Sequence, residues 1–324
     1  MRSSDAVEPD ATEPAPPPAP AGRKSALAFF GLLLALFLPG LLAQALHVVV
    51  GLLWTELFVF LLPPFVLAAG SNLVPRVYLA LGRVRPAILA TGALVGAAGT
   101  VLAMAIMAVA QRLMPPAWVR TFDVAKLFEA PLAERIAIAA VATIVAPVCE
   151  EIAFRGYLQS TLLSRRRPAL AVGAAALLFA IIHLDPIRFP ALVILGAVFG
   201  WLRLRSGSVW PAVAAHAANN GLVSIIALAA RPEPAEETSL PLSAIAFGLA
   251  LGVAMLAPLV AAFRAATPPP PAPEALLVLR DPADPSLRFR LARVPRRLQL
   301  AAIAGAQALI VIVLAALVVA IVRR

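Results

Sequence analysis

PAILATGALVGAAGTVLAMAIMAVA, residues 86 to 110, runs for 25 positions without a charged side chain. As an α-helix it would be about 37 Å long at 1.5 Å per residue, more than the roughly 30 Å hydrocarbon core of a bilayer. The same reading applies along the chain. Of its 324 residues, 61% are hydrophobic and only 14% charged, and the mean hydropathy is +0.91. A water-soluble domain has no way to hide that much apolar surface. Long unbroken runs, with no short alternating segments, exclude a transmembrane barrel. The fold class expected is all-α: a polytopic transmembrane helical bundle of about eight or nine spans. The candidate spans are 27–50, 52–70, 86–110, 132–160, 168–184, 188–204, 208–229, 240–263 and 299–322. Pro63 and Pro64 are expected to kink or shorten the second.

The charge pattern orients these spans. Arg23 and Lys24 precede the first, Arg76, Arg83 and Arg85 follow the second, and Arg165, Arg166 and Arg167 follow the fourth. Arg203 and Arg205 follow the sixth, and 264–298 carries seven arginines. Every second linker is thus basic, which places the N-terminus in the cytoplasm and the protein in an inner (plasma) membrane. Arg323 and Arg324, after the ninth span, fit that alternation poorly. The net charge of +10 is accounted for by topology, not by nucleic acid, and no nucleic-acid partner is expected. A single cysteine, Cys149, excludes an internal disulfide framework and reads as a core residue.

Five regions follow. Residues 1–25 are expected to form a Pro-rich, disordered tail, 26–125 the N-terminal transmembrane helices, and 126–263 a transmembrane core, read as catalytic from its buried polar residues. Residues 264–298 make a basic cytoplasmic linker and 299–324 a C-terminal transmembrane helix.

Ionisable groups are costly in hydrocarbon and mark function when they occur there. Glu150, Glu151 and Arg155 fall within the fourth span, His183 ends the fifth, and His216 and Asn220 lie in the seventh. Measured from the basic ends at 1.5 Å per residue, Glu150 stands about 20 Å, His183 about 22 Å, His216 about 12 Å and Asn220 about 18 Å into the membrane. All four occupy one broad layer. Glu151 and Arg155 are i,i+4 and can pair, which leaves Glu150 to face another partner. His216 and Asn220 are also i,i+4 and can present to one cavity. Pro147 is expected to break the helix locally just before Glu150 and make room for water. His47 has only Gln44 as a polar companion and reads as structural, whereas Glu56 either sits near the outer surface or lines the cavity.

The chemistry that fits is activation of water. A carboxylate and an imidazole can take a proton from it and return one to a leaving group, with Asn220 or a histidine donating to the developing oxyanion. Two readings of the set stand open. One is a metal-free Glu/His pair. The other makes Glu150, His183 and His216 ligands of zinc or another divalent metal. There is no HExxH segment.

Three stretches carry a family likeness. EEIAFR (150–155), FAIIH (179–183) and HAANN (216–220) resemble, in order and spacing, the EExxxR, FxxxH and HxxxN motifs of the CAAX-processing and bacteriocin-processing (CPBP, or Abi) intramembrane proteases. The likeness covers about 130–230. It implies peptide-bond hydrolysis within the membrane, CAAX-type C-terminal processing among its forms, on a membrane-associated protein or peptide substrate. It also implies that Glu150 activates water with His183, that His216 and Asn220 form the oxyanion site, and that Glu151 and Arg155 support the fold. Two other functions remain in view: a transporter using the buried carboxylate as a relay, and a non-catalytic immunity or scaffold protein on the same fold.

Overall fold

A computed structural model describes residues 22–71, 73–164, 166–229 and 240–267. They form eight long helices: α1 (Gly22–Leu46), α2 (Val48–Gly70), α3 (Pro86–Leu113), α4 (Leu132–Leu163), α5 (Pro168–Ile182), α6 (Phe189–Ser206), α7 (Trp210–Ala229) and α8 (Leu242–Ala266). Seven are long and apolar enough to cross a membrane, and α5, at 15 residues, is apolar but shorter. Among the described residues there is no sheet. The protein is therefore a polytopic α-helical membrane bundle. Helices appear at eight of the nine expected spans. The ninth, at 299–322, lies outside the described residues, as do the tail through residue 21 and the linker from 268 onward.

The bundle has two apolar cores that meet at the site. One gathers α1, α2, α4 and α5 around Phe29, Phe60, Phe154 and Phe179. The other gathers α3, α6, α7 and α8 around Val95, Leu195, Phe199 and Phe263. α3 and α7 touch backbone to backbone. A Cβ on Gly92 would come within 2.7 Å of the Pro211 carbonyl oxygen, and one on Gly96 would run into the Ala215 carbonyl. The Gly92-x-x-x-Gly96 spacing puts both glycines on one face, where dispersion between close helices replaces the hydrophobic drive that lipid cannot supply. This contact places Thr100 beside Asn219.

Two expected irregularities take a different form. Pro147 does not break α4. Instead the helix widens over Val141–Val145, where the Ala146 N–H donates to the carbonyl five residues back, at Val141. The wider turn absorbs the proline without an interruption. α2 does the same: Thr55–Leu61 is wide, and Leu62 N–H donates to Leu57 O immediately before Pro63 and Pro64. A third wide stretch, Ile152–Leu158, directly follows Glu151. Such turns rotate the side chains beyond them, and proteins concentrate them at functional sites.

Candidate functional site

The site is built where α4, α5, α6 and α7 meet. Glu151 and Arg155, both fully buried, pair on one face of α4 with Arg155 Nη1 donating to Glu151 Oε1 over 2.8 Å. Arg155 also donates through Nη2 to the Gly196 carbonyl of α6 at 3.0 Å. Gly196 permits this approach, since a Cβ there would sit 3.1 Å from Ala176 Cα and 3.2 Å from Arg155 Nη2. One turn on, Gln159 Nε2 repeats the contact on Gly200 O at 2.9 Å. The charge is held inside the bundle by a carboxylate, a carbonyl and two aromatic faces, although Arg155 Nε has no hydrogen-bond partner among the described residues. The Arg155 guanidinium lies 4.3 Å from the centre of the Phe179 ring and 5.6 Å from that of Phe199.

Phe179 also organises the imidazoles. His183 Nδ1 donates to the Phe179 carbonyl at 2.8 Å, and the His183 ring meets the Phe179 ring edge-on with centroids 4.7 Å apart. The four-residue spacing of FAIIH is thus a ring-to-carbonyl bond across one helical turn. It fixes the tautomer and leaves Nε2 as the acceptor. Beyond His183 the chain turns sharply through Leu184, held at φ 52°.

His216 from α7 lies nearly parallel to Phe199, with ring centroids 5.1 Å apart and planes at 22°. Its Nδ1 donates to Glu151 Oε1 at 2.9 Å, so Glu151 serves Arg155 and His216 together. His216 Nε2 then stands 4.0 Å from Glu150 Oε2. Both histidines accordingly keep Nε2 lone pairs available. Glu150 is 8% exposed, and its Oε2 has no hydrogen-bond partner among the described residues. Asn220 donates through Nδ2 to the Ala142 carbonyl of α4 at 2.9 Å and accepts at Oδ1 from Asn219. Asn219 in turn accepts from Thr100, so α3, α7 and α4 are joined by one amide chain.

These groups face a cavity of about 250 Å³. Glu150, His183, His216, Asn219, Asn220 and Arg188 supply its polar wall. Met104, Met107, Leu192, Leu195, Val223 and Ile226 supply its apolar one. Of the residues expected from sequence, Glu150, His183, His216 and Asn220 line this space. Glu151 and Arg155 do not, and act on it through His216 and Phe179. Among the described residues no three His, Cys, Asp or Glu side chains converge as a metal-holding set.

Several residues of the site were not foreseen. Asn219 stands inside HAANN, and Thr100 is one of two hydroxyls, with Thr91, in the apolar run that carries the glycine pair. Arg188 follows Asp185, which holds it through Nε at 2.6 Å. Glu56 resolves to the interior. It is 4% exposed on the wide turn of α2 and does not line the cavity.

Residues 132–222 match the Rce1-like family, described as type II CAAX prenyl endopeptidase Rce1-like. The match takes in α4 to α7 up to Leu222, and with it every group of the polar wall named above. No curated protein and no solved structure matches the chain.

Proposed function

We propose that this chain, a CAAX-protease/Abi-family protein by its match over residues 132–222, is an intramembrane endopeptidase that hydrolyses a peptide bond with a water activated by Glu150. The observation that carries the reading is the Glu151–His216–Glu150 succession. It holds an oriented imidazole 4.0 Å from an unpartnered buried carboxylate oxygen, too far for a direct hydrogen bond. A water at about 2.8 Å from both atoms fits that separation.

Glu150 takes the water proton as the oxygen attacks the carbonyl carbon. The carbon–nitrogen bond then breaks as Glu150 returns the proton to the amine nitrogen. Glu151 keeps His216 in the tautomer whose Nε2 accepts from the water and stabilises the imidazolium if that ring gains the proton. His183 offers a second acceptor, and the remaining amide hydrogens of Asn219 and Asn220 meet the oxyanion. The apolar wall accommodates the hydrophobic part of a membrane-borne peptide. Glu150, His183 and His216, the metal ligands considered from the sequence, do not converge as a metal-holding set among the described residues. The substrate is a membrane-associated protein or peptide, with CAAX-type C-terminal processing as one form. The protein sits in a plasma membrane with its N-terminus in the cytoplasm.

The deciding experiment is proteolysis in lipid vesicles on a panel of membrane-anchored peptides, with and without a chelator. Glu150→Gln should lower turnover by at least about 10²–10⁴-fold while the fold is kept. Undiminished cleavage by that variant overturns the role given to Glu150, and loss of turnover with chelator in the unaltered protein assigns a metal to the step.

A further inference from the structure

The two ends of the bundle differ in charge, and the cavity belongs to only one of them. At the first end three connections are tied together. Arg85 Nη2 donates to Ala266 O at 2.9 Å, Arg205 Nη2 to Arg264 O at 3.0 Å, and Ser208 Oγ to Gly82 O at 2.6 Å. The short link from α4 to α5 joins this end through Leu163, which packs near Leu204. α1 begins there too, because Phe29 lies 4.5 Å from Tyr157, which meets Tyr78. Arg76, Arg83, Arg85, Arg166, Arg167, Arg205 and Arg264 stand at this end, with Arg23 and Lys24 in the first turn of α1. No Asp or Glu accompanies them among the described residues.

The second end is tied by Arg112, which donates to Leu240 O at 2.7 Å, and by Arg135, which donates to Leu228 O at 3.0 Å. It carries five bases, Arg112, Arg120, Lys126, Arg135 and Arg188, together with Asp123, Glu129, Glu134 and Asp185. Nine arginines and lysines, leaving out the buried Arg203 in the last turn of α6, therefore face five. That count, and not net charge, sets orientation, so the first end is the cytoplasmic one.

Most of the lining lies in the half of its helix nearer the second end, with Glu150 of α4, Phe199 of α6 and His216 of α7 forming the deeper wall. α3 contributes Thr100 to Met107 of Pro86–Leu113, and α7 contributes His216 to Ile226 of Trp210–Ala229. α6 contributes from its start at Arg188, α5 from its last turn at Phe179 and His183, and the α3–α4 connection contributes Val124. Met104, Val223 and Ile226 are each at least 40% exposed, so the wall continues out to the surface on that side. Toward the first end the α3–α7 contact at Gly92 and Gly96 closes the space.

We infer that the cavity opens on the face of the membrane away from the cytoplasm. Resting on the hydrolase reading above, this makes its substrate a peptide segment that emerges from the outer leaflet, such as the extracytoplasmic stub of a membrane-anchored protein. A chain end presented from the cytoplasm, as in CAAX-type processing, would meet the closed, arginine-bearing end, so this orientation sets that form of the reading above aside.

Single engineered cysteines test the inference independently of hydrolysis, because the native Cys149 is 2% exposed and the unaltered chain supplies the blank. Val124→Cys and Glu129→Cys report the second end, and Arg83→Cys reports the first. A membrane-impermeant maleimide is added to spheroplasts before or after permeabilisation, and labelling is read by mass shift. The expected result is labelling of both second-end cysteines in intact spheroplasts, with Arg83→Cys reacting only after permeabilisation. Arg83→Cys reacting in intact spheroplasts, or Glu129→Cys reacting only after permeabilisation, overturns the orientation whether or not the protein cleaves peptides. Loss of the Glu150-dependent cleavage assay alone overturns the enzyme reading and leaves the orientation standing.

Discussion

Replacing Arg155 by methionine removes the only cation bonded to Glu151 among the described residues while keeping most of the side-chain volume. The pair is fully buried at 2.8 Å. At that separation the gross attraction is about 6 kcal/mol with an effective dielectric of 20. Desolvation of both ions offsets much of it, so the intact pair adds little net stability. Breaking it from one side is a different matter, because Glu151 then keeps its charge with His216 as its sole partner. Such one-sided breaks cost about 3–5 kcal/mol. The freed Gly196 carbonyl and the lost contact on Phe179 lie within that figure, since neighbouring losses do not add. The assay is reversible unfolding in mixed micelles, followed by the change in tryptophan emission. Arg155→Met should lose about 3–5 kcal/mol. The double variant Glu151→Gln with Arg155→Met should recover more than half of that, because no uncompensated charge remains. A single variant within about 1 kcal/mol of the parent, or a double variant no better than the single one, refutes the reasoning.

Two further substitutions probe the packing that positions the site. Gly96→Ala drives a methyl into the Ala215 carbonyl and should cost about 1–3 kcal/mol in the same unfolding assay, with turnover falling as Thr100 and Asn219 separate. Retention of both properties removes the close α3–α7 contact from the account. Leu184→Gly acts the opposite way. Leu184 holds φ 52° and is 55% exposed, so glycine relieves about 1–2 kcal/mol of backbone strain with little loss of buried surface. A higher unfolding midpoint is expected, and a lower one refutes the strain assignment.

Local periodicity explains which parts of the site were legible in advance. The Glu151–Arg155 pair follows from a four-residue spacing on one helix, and so does the placement of His216 and Asn220 on one cavity. The FAIIH spacing is also local, since its bond runs from His183 back to the carbonyl of Phe179. What escaped were contacts between helices. Glu151 reaching His216 as well as Arg155 joins positions 65 apart. Thr100 bonding Asn219 spans 119 positions, and its one local sign was the neighbouring glycine pair. Pro147 misled for a related reason. A missing N–H is certain from the residue type, but whether the helix breaks or widens is settled by what packs around it, and here it widens.

The amino-acid sequence alone determined that this protein is a bundle of membrane helices with its costly side chains in one layer, because hydropathy and residue spacing act within each helix separately. The match at residues 132–222 agrees with the three motifs read in that layer. Only the tertiary structure decided which carboxylate holds His216, that Glu56 is interior, and toward which end the cavity opens. Each of these depends on how far one helix is rotated and shifted against another. Close packing at Gly92, Gly96 and Gly196, together with the wide turns in α2 and α4, sets those rotations, and no single stretch of chain contains that information.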